Sequence, residues 1–342
     1  MTIAASQFLT PDELALIRKR SDVRGLWCVA HAWGVIVGAW VLFALWPNPL
    51  TLALGIVLVG ARQLGLAILM HDAAHGVLTN NRQLNERLGQ WFLAWPVISD
   101  LYNYRTYHLK HHRWTQQPND PDLVLSAPFP ITRSSFRRKM IRDLTGQTVF
   151  KQRVAQFRNA FTAKSGKLGD GLQKGFNRLG GPIAVNLGLL AVLTLAGYWY
   201  VFFLLWVLPF FVWFPMITRI RNIAEHAVVP DNDDPFRNAR TTKANWLWRA
   251  AVAPYWVNYH VEHHLLMWVP CYNLPMFHAL LLKKGFGPKM EIQPNYLAML
   301  RLATSKTVEA ANSNDDGDAG EAGNNQGAGL AFNITPRAGK SA

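Results

Sequence analysis

Residues 26–75 read LWCVAHAWGVIVGAWVLFALWPNPLTLALGIVLVGARQLGLAILMHDAAH, and this stretch decides the fold class. Its two apolar runs, 26–46 and 49–70, are separated only by Pro47 and Asn48. Because a helix crosses the hydrocarbon core of a bilayer in about 20 residues, each run is long enough to span a membrane. The Pro-Asn pair predicts a tight turn, so we expect two antiparallel membrane helices here.

A second apolar region, residues 182–217, is too long for one crossing and is predicted to form two more spans. The aromatic residues 198–200 indicate the turn between them, because such side chains favour the membrane interface. Residues 88–98 are apolar but too short to cross, and we expect them to be re-entrant or interfacial. The sequence predicts an all-α membrane protein: four transmembrane helices in two hairpins, interfacial helices and a helical cytoplasmic cap.

Composition agrees with a membrane protein. Half of the 342 residues are hydrophobic and 16% are charged, against about 25% in typical soluble domains. The two cysteines, Cys28 and Cys271, predict neither a disulfide framework nor a Cys-based metal site. The N-terminus lacks the apolar segment of a cleaved signal peptide, so the internal spans are expected to direct insertion.

The formal net charge of +14 is distributed unevenly. The two predicted turns carry no Lys or Arg, whereas residues 80–181 carry 17 and the region after Met216 carries 13. By the positive-inside rule, both hairpins are expected to insert from the cytoplasm, with both termini cytoplasmic. We expect a multi-pass protein of a bacterial inner membrane. Because topology and anionic headgroups account for the charge, no nucleic-acid partner is predicted.

Arg62 is the one Lys or Arg inside a predicted span. A cation at such depth usually faces a polar interior, so Arg62 either contacts the metal region or a substrate headgroup, or anchors a helix end. The chain is predicted to divide into three parts: a cytoplasmic N-terminal segment (1–25), a membrane domain (26–307) and a disordered tail (308–342). The tail is rich in Asn, Asp, Gly and Ala and has few apolar residues.

Eight of the eleven histidines form three tight clusters. Positions i, i+3 and i+4 of a helix share one face, so each cluster directs its imidazoles one way. Imidazole suits Fe, Zn and Cu, and the clusters lie near predicted cytoplasmic membrane boundaries. A metal centre is therefore predicted. The clusters are His71 and His75; His108, His111 and His112; and His260, His263 and His264.

The motifs His71-Asp-Ala-Ala-His75, His108-Leu-Lys-His111-His112 and His260-Val-Glu-His263-His264 resemble the three histidine boxes of the membrane fatty acid desaturase superfamily. The resemblance covers roughly residues 40–300, with spans and boxes in matching order. It implies a non-haem centre of two Fe in the cytoplasmic cap, with O₂ as co-substrate, that attacks an unactivated C–H bond of a lipid acyl chain.

In the stearoyl-CoA desaturases of this superfamily, nine His hold the irons and an Asn lies close by through water. The Asn and the ninth His are four residues apart after the last span, as are Asn222 and His226 here. The first box of those enzymes has one more intervening residue, which favours acyl-lipid desaturases and their hydroxylase or ketolase relatives. His31 and His278 match no box. The resemblance implies as metal ligands His71, His75, His108, His111, His112, Asn222, His226, His260, His263 and His264.

Acidic residues flank the boxes, and metal-bound imidazoles usually donate their other N–H to such groups. Asp72, Glu225 and Glu262 are the candidates for this role. The chain has no CxxC cluster, no dinucleotide fingerprint and no haem module, so an external electron donor is expected, either a ferredoxin or a small b-type cytochrome.

The predicted function is desaturation of a lipid acyl chain. The alternatives are a hydroxylase or ketolase acting on a carotenoid, sphingolipid or alkane, and a non-enzymatic multi-pass metal or haem binder.

Overall fold

The computed structural model describes residues 3–163 and 165–307, and these are mostly helical. The predicted disordered tail, 308–342, lies outside them. The α-helices of the described residues are α1 (Pro11–Ile17), α2 (Asp22–Leu45), α3 (Pro49–Ala74), α4 (Arg82–Arg87), α5 (Leu101–Trp114), α6 (Leu123–Ser126), α7 (Arg133–Leu144), α8 (Gln147–Phe161), α9 (Leu168–Leu195), α10 (Trp199–Phe202), α11 (Leu208–His226), α12 (Trp246–Ala251), α13 (His260–Leu265), α14 (Leu274–Lys283) and α15 (Tyr296–Ala303).

The remaining regular structure is short. Strands β1 (Thr241–Thr242) and β2 (Ile292–Gln293) pair in parallel. Two π-helical segments are Leu88–Ala94 and Phe203–Val207. The 3₁₀ turns are Ala5–Gln7, Trp95–Val97, Pro254–Trp256, Cys271–Asn273 and Gly287–Lys289.

Four helical stretches of the described chain are long and apolar enough to cross a membrane, as the sequence predicts. They extend beyond the predicted spans, mainly at the helix ends away from the two predicted turns. The stretches are Pro11–Leu45, Pro49–Ala74, Leu168–Leu195 and Trp199–His226.

The turn between α2 and α3 follows from its residues. The Asn48 side chain accepts hydrogen bonds from the backbone N–H groups of Leu50 and Thr51. Pro49 occupies the first helical position, where its missing N–H costs nothing. Helix α3 therefore begins at once, and α2 packs along it.

Helix α3 lies at the centre of the molecule, in contact with α2 and α11. Its last sixteen residues, from Val59 onward, are all buried. At Gly60 a Cβ atom would lie 2.8 Å from Cδ1 of Trp213 in α11, so only glycine permits this close approach. By contrast, much of α9 is exposed.

Helix α9 begins at Leu168, fourteen residues before the predicted start of the third span at Pro182. The polar segment before the proline stays helical because it packs against α8. There a Cβ atom on Gly171 would lie 2.4 Å from the Phe161 carbonyl oxygen. The helix ends before Gly197, whose φ of +83° turns the chain next to the predicted aromatic turn.

Residues 82–97 form consecutive helical segments that pack on α3, in the region predicted to be re-entrant or interfacial. Residues 227–307 pack over the ends of α3 and α11, through β1, α12, α15 and the turn Pro254–Trp256. The histidines lie where these two regions meet the helix ends.

Candidate metal centre

The first box lies at the end of α3. His71 is in the last turn of this helix and His75 directly follows it. Gly76, with φ of +69°, then turns the chain away, a conformation that glycine adopts without strain. Both imidazoles are buried.

The second and third boxes lie on short helices. Asp100 caps α5 by accepting a hydrogen bond from the N–H of Asn103, and the second box occupies the C-terminal part of this helix. The third box lies on α13, which begins at His260. Both clusters are helical, as their spacing predicts.

His226 is the last residue of α11. Its Nδ1 lies 3.4 Å from the backbone oxygen of Asn238. Its Nε2 lies 2.8 Å from Nε2 of His260. His226 therefore lies among the box histidines, although it belongs to none of the three boxes.

The nine histidines form two groups, and within each group the possible ligand atoms lie within 4.8 Å of one another. We call them the five-His group and the four-His group. The five-His group is His71, His75, His108, His112 and His263; the four-His group is His111, His226, His260 and His264.

The distances within each group fit a shared ion. His263 Nε2 lies 2.9 Å from Nε2 of both His71 and His112, and the His260 and His264 Nε2 atoms are 3.1 Å apart. Nitrogens about 2.1 Å from one metal, at adjacent corners, lie about 3 Å apart. Both ring nitrogens of His75 are buried without a hydrogen-bond partner. Buried nitrogens normally have partners, so these residues fit metal ions that would supply them.

Each H-x-x-H-H box divides between the groups. In the second box, His108 and His112 join the five-His group and His111 joins the other. In the third box, His260 and His264 join the four-His group and His263 joins the other. The groups are adjacent, with the ring centroids of His112 and His264 4.4 Å apart.

Burial keeps most of these imidazoles neutral. It lowers the pKa of His75 to about 3, an effect that the charge of Arg105 reinforces. Burial and then neighbouring imidazoles hold the pKa values of His112 and His263 well below the usual range. A neutral imidazole has a free lone pair, so these rings are ready to bind a metal at neutral pH.

His111 differs from the other box histidines in its charge environment. Burial acts to lower its pKa, but the Asp120 carboxylate, 2.8 Å from Nδ1, raises it. The oxygen of Asp122 lies 3.7 Å from the same nitrogen. In a metal complex, Asp120 would accept the Nδ1–H of His111 and leave Nε2 as the ligand atom.

Two predicted acidic partners lie near histidines. Asp72 Oδ1 lies 3.4 Å from His71 Nδ1, and Asp72 also accepts a hydrogen bond from the backbone N–H of Cys271. Glu225 Oε2 lies 3.5 Å from His260 Nε2, and Arg221 donates to the same carboxylate.

Glu262 has different partners from those predicted. It is fully buried and accepts hydrogen bonds from Thr241 and from Nδ1 of His278. His278 matches no box. It lies on α14 and Glu262 on α13, so no helical spacing in the sequence links the two residues. This contact depends on the fold of residues 227–307.

Two cavities adjoin the groups. One, of about 320 Å³, is lined by His75 and Trp268 together with the cations Arg20, Arg82 and Arg105. The other, of about 20 Å³, adjoins the four-His group and is lined by residues that include Tyr104, Asp122, Arg221, Asn222 and Glu225. Asn222 thus lies near this group, and its part in metal binding stays a prediction. The Tyr104 ring, which stacks 5.2 Å from that of His108, had no signal in the sequence.

A family model described as "Fatty acid desaturase" matches residues 47–290, which contain all nine histidines of both groups. The chain belongs to the fatty acid desaturase family. The superfamily predicted from the histidine boxes is therefore confirmed. Buried histidine clusters in a member of this family are consistent with a metal site, and the family implies a lipid substrate and membrane association.

Two curated relatives carry desaturase names. The dihydrorhizobitoxine desaturase of Bradyrhizobium elkanii is 26% identical over 230 residues, which are 65% of each chain. The sn-1 oleoyl-lipid 12-desaturase of Picosynechococcus sp. is 26% identical over 284 residues, which are 74% of each chain. Desaturation is an oxidation, so the family and both names indicate an oxidoreductase, as predicted.

Proposed function

We propose that this chain is an O₂-dependent di-iron desaturase that introduces a C=C bond into a lipid acyl chain. The observation that carries the proposal is the division of nine imidazoles, seven buried and two half-buried, into adjacent groups of five and four. Two neighbouring sites with nitrogen ligands suit two redox metals. Family membership favours iron over zinc, because zinc has no redox chemistry.

The proposed reaction removes two vicinal hydrogens from the acyl chain. The substrate gives up two electrons and two protons, and an external donor supplies two further electrons with two protons from solvent. These four electrons and four protons reduce one O₂ to two waters. Iron, when bound, would supply the activation of O₂. The protein would hold the ligand rings and exclude bulk water from the site.

The proposed ligands are the nine histidines of the two groups, with Asn222 acting more weakly through water. Asp120 would fix the ring of His111, and Asp72 would restrain that of His71. Metal analysis of purified protein tests this set. We expect about two irons per chain, and zinc at full occupancy in protein from native membranes would contradict the proposal.

We further propose that α2 with α3, and α9 with α10 and α11, form two hairpins inserted from the cytoplasm of a bacterial inner membrane. Residues 1–25 and the tail 308–342 would then be cytoplasmic segments flanking the membrane domain 26–307. The asymmetry of Lys and Arg supports this arrangement. Reporter fusions at Ala342 and in the turn at Asn48 should report opposite sides; the same side for both would refute the topology.

The electrons are proposed to come from a ferredoxin or a small b-type cytochrome. A basic surface would attract such an acidic partner, and α7 alone carries Arg133, Arg137, Arg138, Lys139 and Arg142. Reconstitution with each purified donor tests this step. Turnover should require one of them and should weaken as ionic strength rises.

The acyl substrate is supported by the family and by the relative named an oleoyl-lipid desaturase. The printed names of the two relatives differ in substrate, so lipid analysis is the decisive measurement. Expression in a host of defined lipid composition should give products two mass units lighter than a host lipid. A gain of sixteen would instead identify a hydroxylase, and unchanged lipids despite full iron loading and a competent donor would contradict an enzyme of acyl lipids.

A further inference from the structure

A second large cavity lies away from the histidine groups. It has a volume of about 400 Å³ and lies between α2, α3 and the segment 246–256. Its polar lining includes His31, Arg62, Arg249 and Tyr255. Arg62 precedes His71 by nine residues, or two and a half helical turns, so the two side chains leave α3 on opposite faces. The cavity is therefore separate from the metal centre.

Arg62 is buried, with 6% of its surface exposed. Its Nη2 donates a 2.6 Å hydrogen bond to the Ala250 carbonyl, and its guanidinium lies 5.6 Å from the ring centroid of Tyr255. Within residues 3–163 and 165–307, no carboxylate forms an ion pair with it. A buried charge in a membrane helix pairs with an opposite charge or with backbone carbonyls; the Ala250 carbonyl accepts one N–H of Arg62, but the described residues provide no counter-charge.

The surrounding groups favour an anion. Arg249 lines the same cavity, and His31 Nδ1 lies 3.0 Å from the Tyr255 hydroxyl. No Asp or Glu is among the lining residues of the described chain. Two guanidinium groups can bind a phosphate or a carboxylate through several N–H donors at once.

The cavity is also amphiphilic along its length. Val35 follows His31 by one helical turn, and Leu58 precedes Arg62 by one turn, so both lie nearer the α2–α3 turn. Apolar side chains thus continue the cavity from the cations toward that turn. Trp27, which is mostly exposed, lines the cavity as well, and tryptophan favours the membrane interface.

We propose that this cavity binds the anionic headgroup of a membrane amphiphile, a phosphate or a carboxylate, with its acyl chain directed along α2 and α3 toward their turn. Arg62 is the central counter-charge and Arg249 closes the outer side. The proposal does not rest on the proposed reaction, because binding can be measured without turnover.

Native mass spectrometry of the full chain in detergent, after addition of defined lipids, tests the site. We expect dioleoylphosphatidylglycerol or oleate to bind and uncharged monoolein to bind at least about tenfold more weakly, the loss expected for one charge-assisted hydrogen bond. Comparison of the first two lipids distinguishes a phosphate from a carboxylate headgroup. Monoolein binding as tightly as the anionic lipids would refute a site for an anionic headgroup. Inorganic phosphate binding as tightly as the lipids would refute a site for an amphiphile.

Variants assign the binding to this cavity. Arg62→Gln should weaken binding of the preferred lipid about tenfold. Arg249→Gln should weaken it as well, and because Arg249 is exposed on α12 this variant tests the site even if Arg62→Gln does not fold. The exposed Arg301→Gln on α15 is the matched control and should bind as the wild type does. Unchanged binding by folded Arg62→Gln, or by Arg249→Gln, would refute the assignment.

Discussion

The five-His and four-His groups differ more in their surroundings than in their ligands. Around the four-His group, Asp120, Asp122, Glu225 and Arg221 form a dense set of charges. Among the described residues, the five-His group has one carboxylate close to a ring, Asp72, 3.4 Å from His71 Nδ1. Its cavity is lined by three cations, Arg20, Arg82 and Arg105, and by Glu86, which pairs with Arg105. His75 has no partner at either ring nitrogen.

This difference indicates how each group would tolerate a metal ion. Five neutral imidazoles leave a bound cation uncompensated, so the charge must be balanced by other ligands. Carboxylates around the four-His group balance charge within the protein, and Asp120 orients the ring of His111. We expect both sites to depend on their own ligands, and the four-His site to depend on the neighbouring carboxylates as well.

Loss of a ligand should have the largest effect, and it should be equal for the two groups. His226→Ala and His263→Ala should each lower turnover more than about 100-fold, beyond the usual loss for an outer partner. Each should also lower the iron content while the protein still inserts. Lipid analysis with metal analysis measures both effects.

His31→Ala is the matched control for these variants, because His31 belongs to neither group. It should retain two irons. Wild-type iron content and lipid products in His226→Ala would remove this residue from the site. Its role would then be confined to the end of α11.

Loss of a carboxylate should separate the two groups. Asp120→Asn should lower metal affinity about 10–100-fold, the usual cost of removing an outer partner of a ligand. Asp72→Asn should cost less, because Asp72 Oδ1 lies 3.4 Å from His71 Nδ1, whereas Asp120 Oδ1 lies 2.8 Å from His111 Nδ1. Chelator competition measures both affinities; an equal loss would contradict the difference between the groups.

His278→Ala should weaken the packing of α13, the helix that contributes histidines to both groups. It leaves the buried Glu262, which lies between His260 and His263 in the chain, without one of its two partners. The free energy of unfolding should fall by about 1–3 kcal/mol, as for other buried groups that lose a partner. Thermal unfolding measures this change, and His278→Gln should recover part of it. A selective loss of one iron would show that the contact of Glu262 with His278 stabilises only one of the two groups.

Asn222→Ala should have the smallest effect. A water-mediated hydrogen bond is at most about as strong as a direct one, which contributes about 0.5–1.5 kcal/mol, so turnover should fall by no more than about tenfold with iron content unchanged. Single-turnover measurements with quantified iron test this expectation. Loss of an iron in this variant would make Asn222 a direct ligand.

Much of the fold follows from the sequence because long apolar runs and their turns are local signals. The Pro-Asn turn before α3 and the aromatic turn before α10 lie as predicted. The start of α9 does not, because its polar first half carries no apolar signal of a span and packs on α8. The depth of residues 82–97 in a membrane remains a prediction.

The histidine clusters were visible for the same reason, but their division into groups was not. Helical spacing suggested that each box directs all its imidazoles one way, whereas His111 and His263 each join the opposite group from their box neighbours. That division depends on how α5 and α13 meet across the end of α3. The contact of Glu262 with His278 depends likewise on tertiary packing.

The division of the boxes has a consequence for assembly. Helices α5 and α13 each contribute to both groups, so neither group can form without the other's scaffold. The first ion to bind would immobilise both helices and remove much of the entropy cost of organising the second site. Binding of the two metal ions should therefore be positively cooperative. Few molecules should hold one ion at half saturation, and the chain would pass almost directly from the metal-free state to the state with two ions.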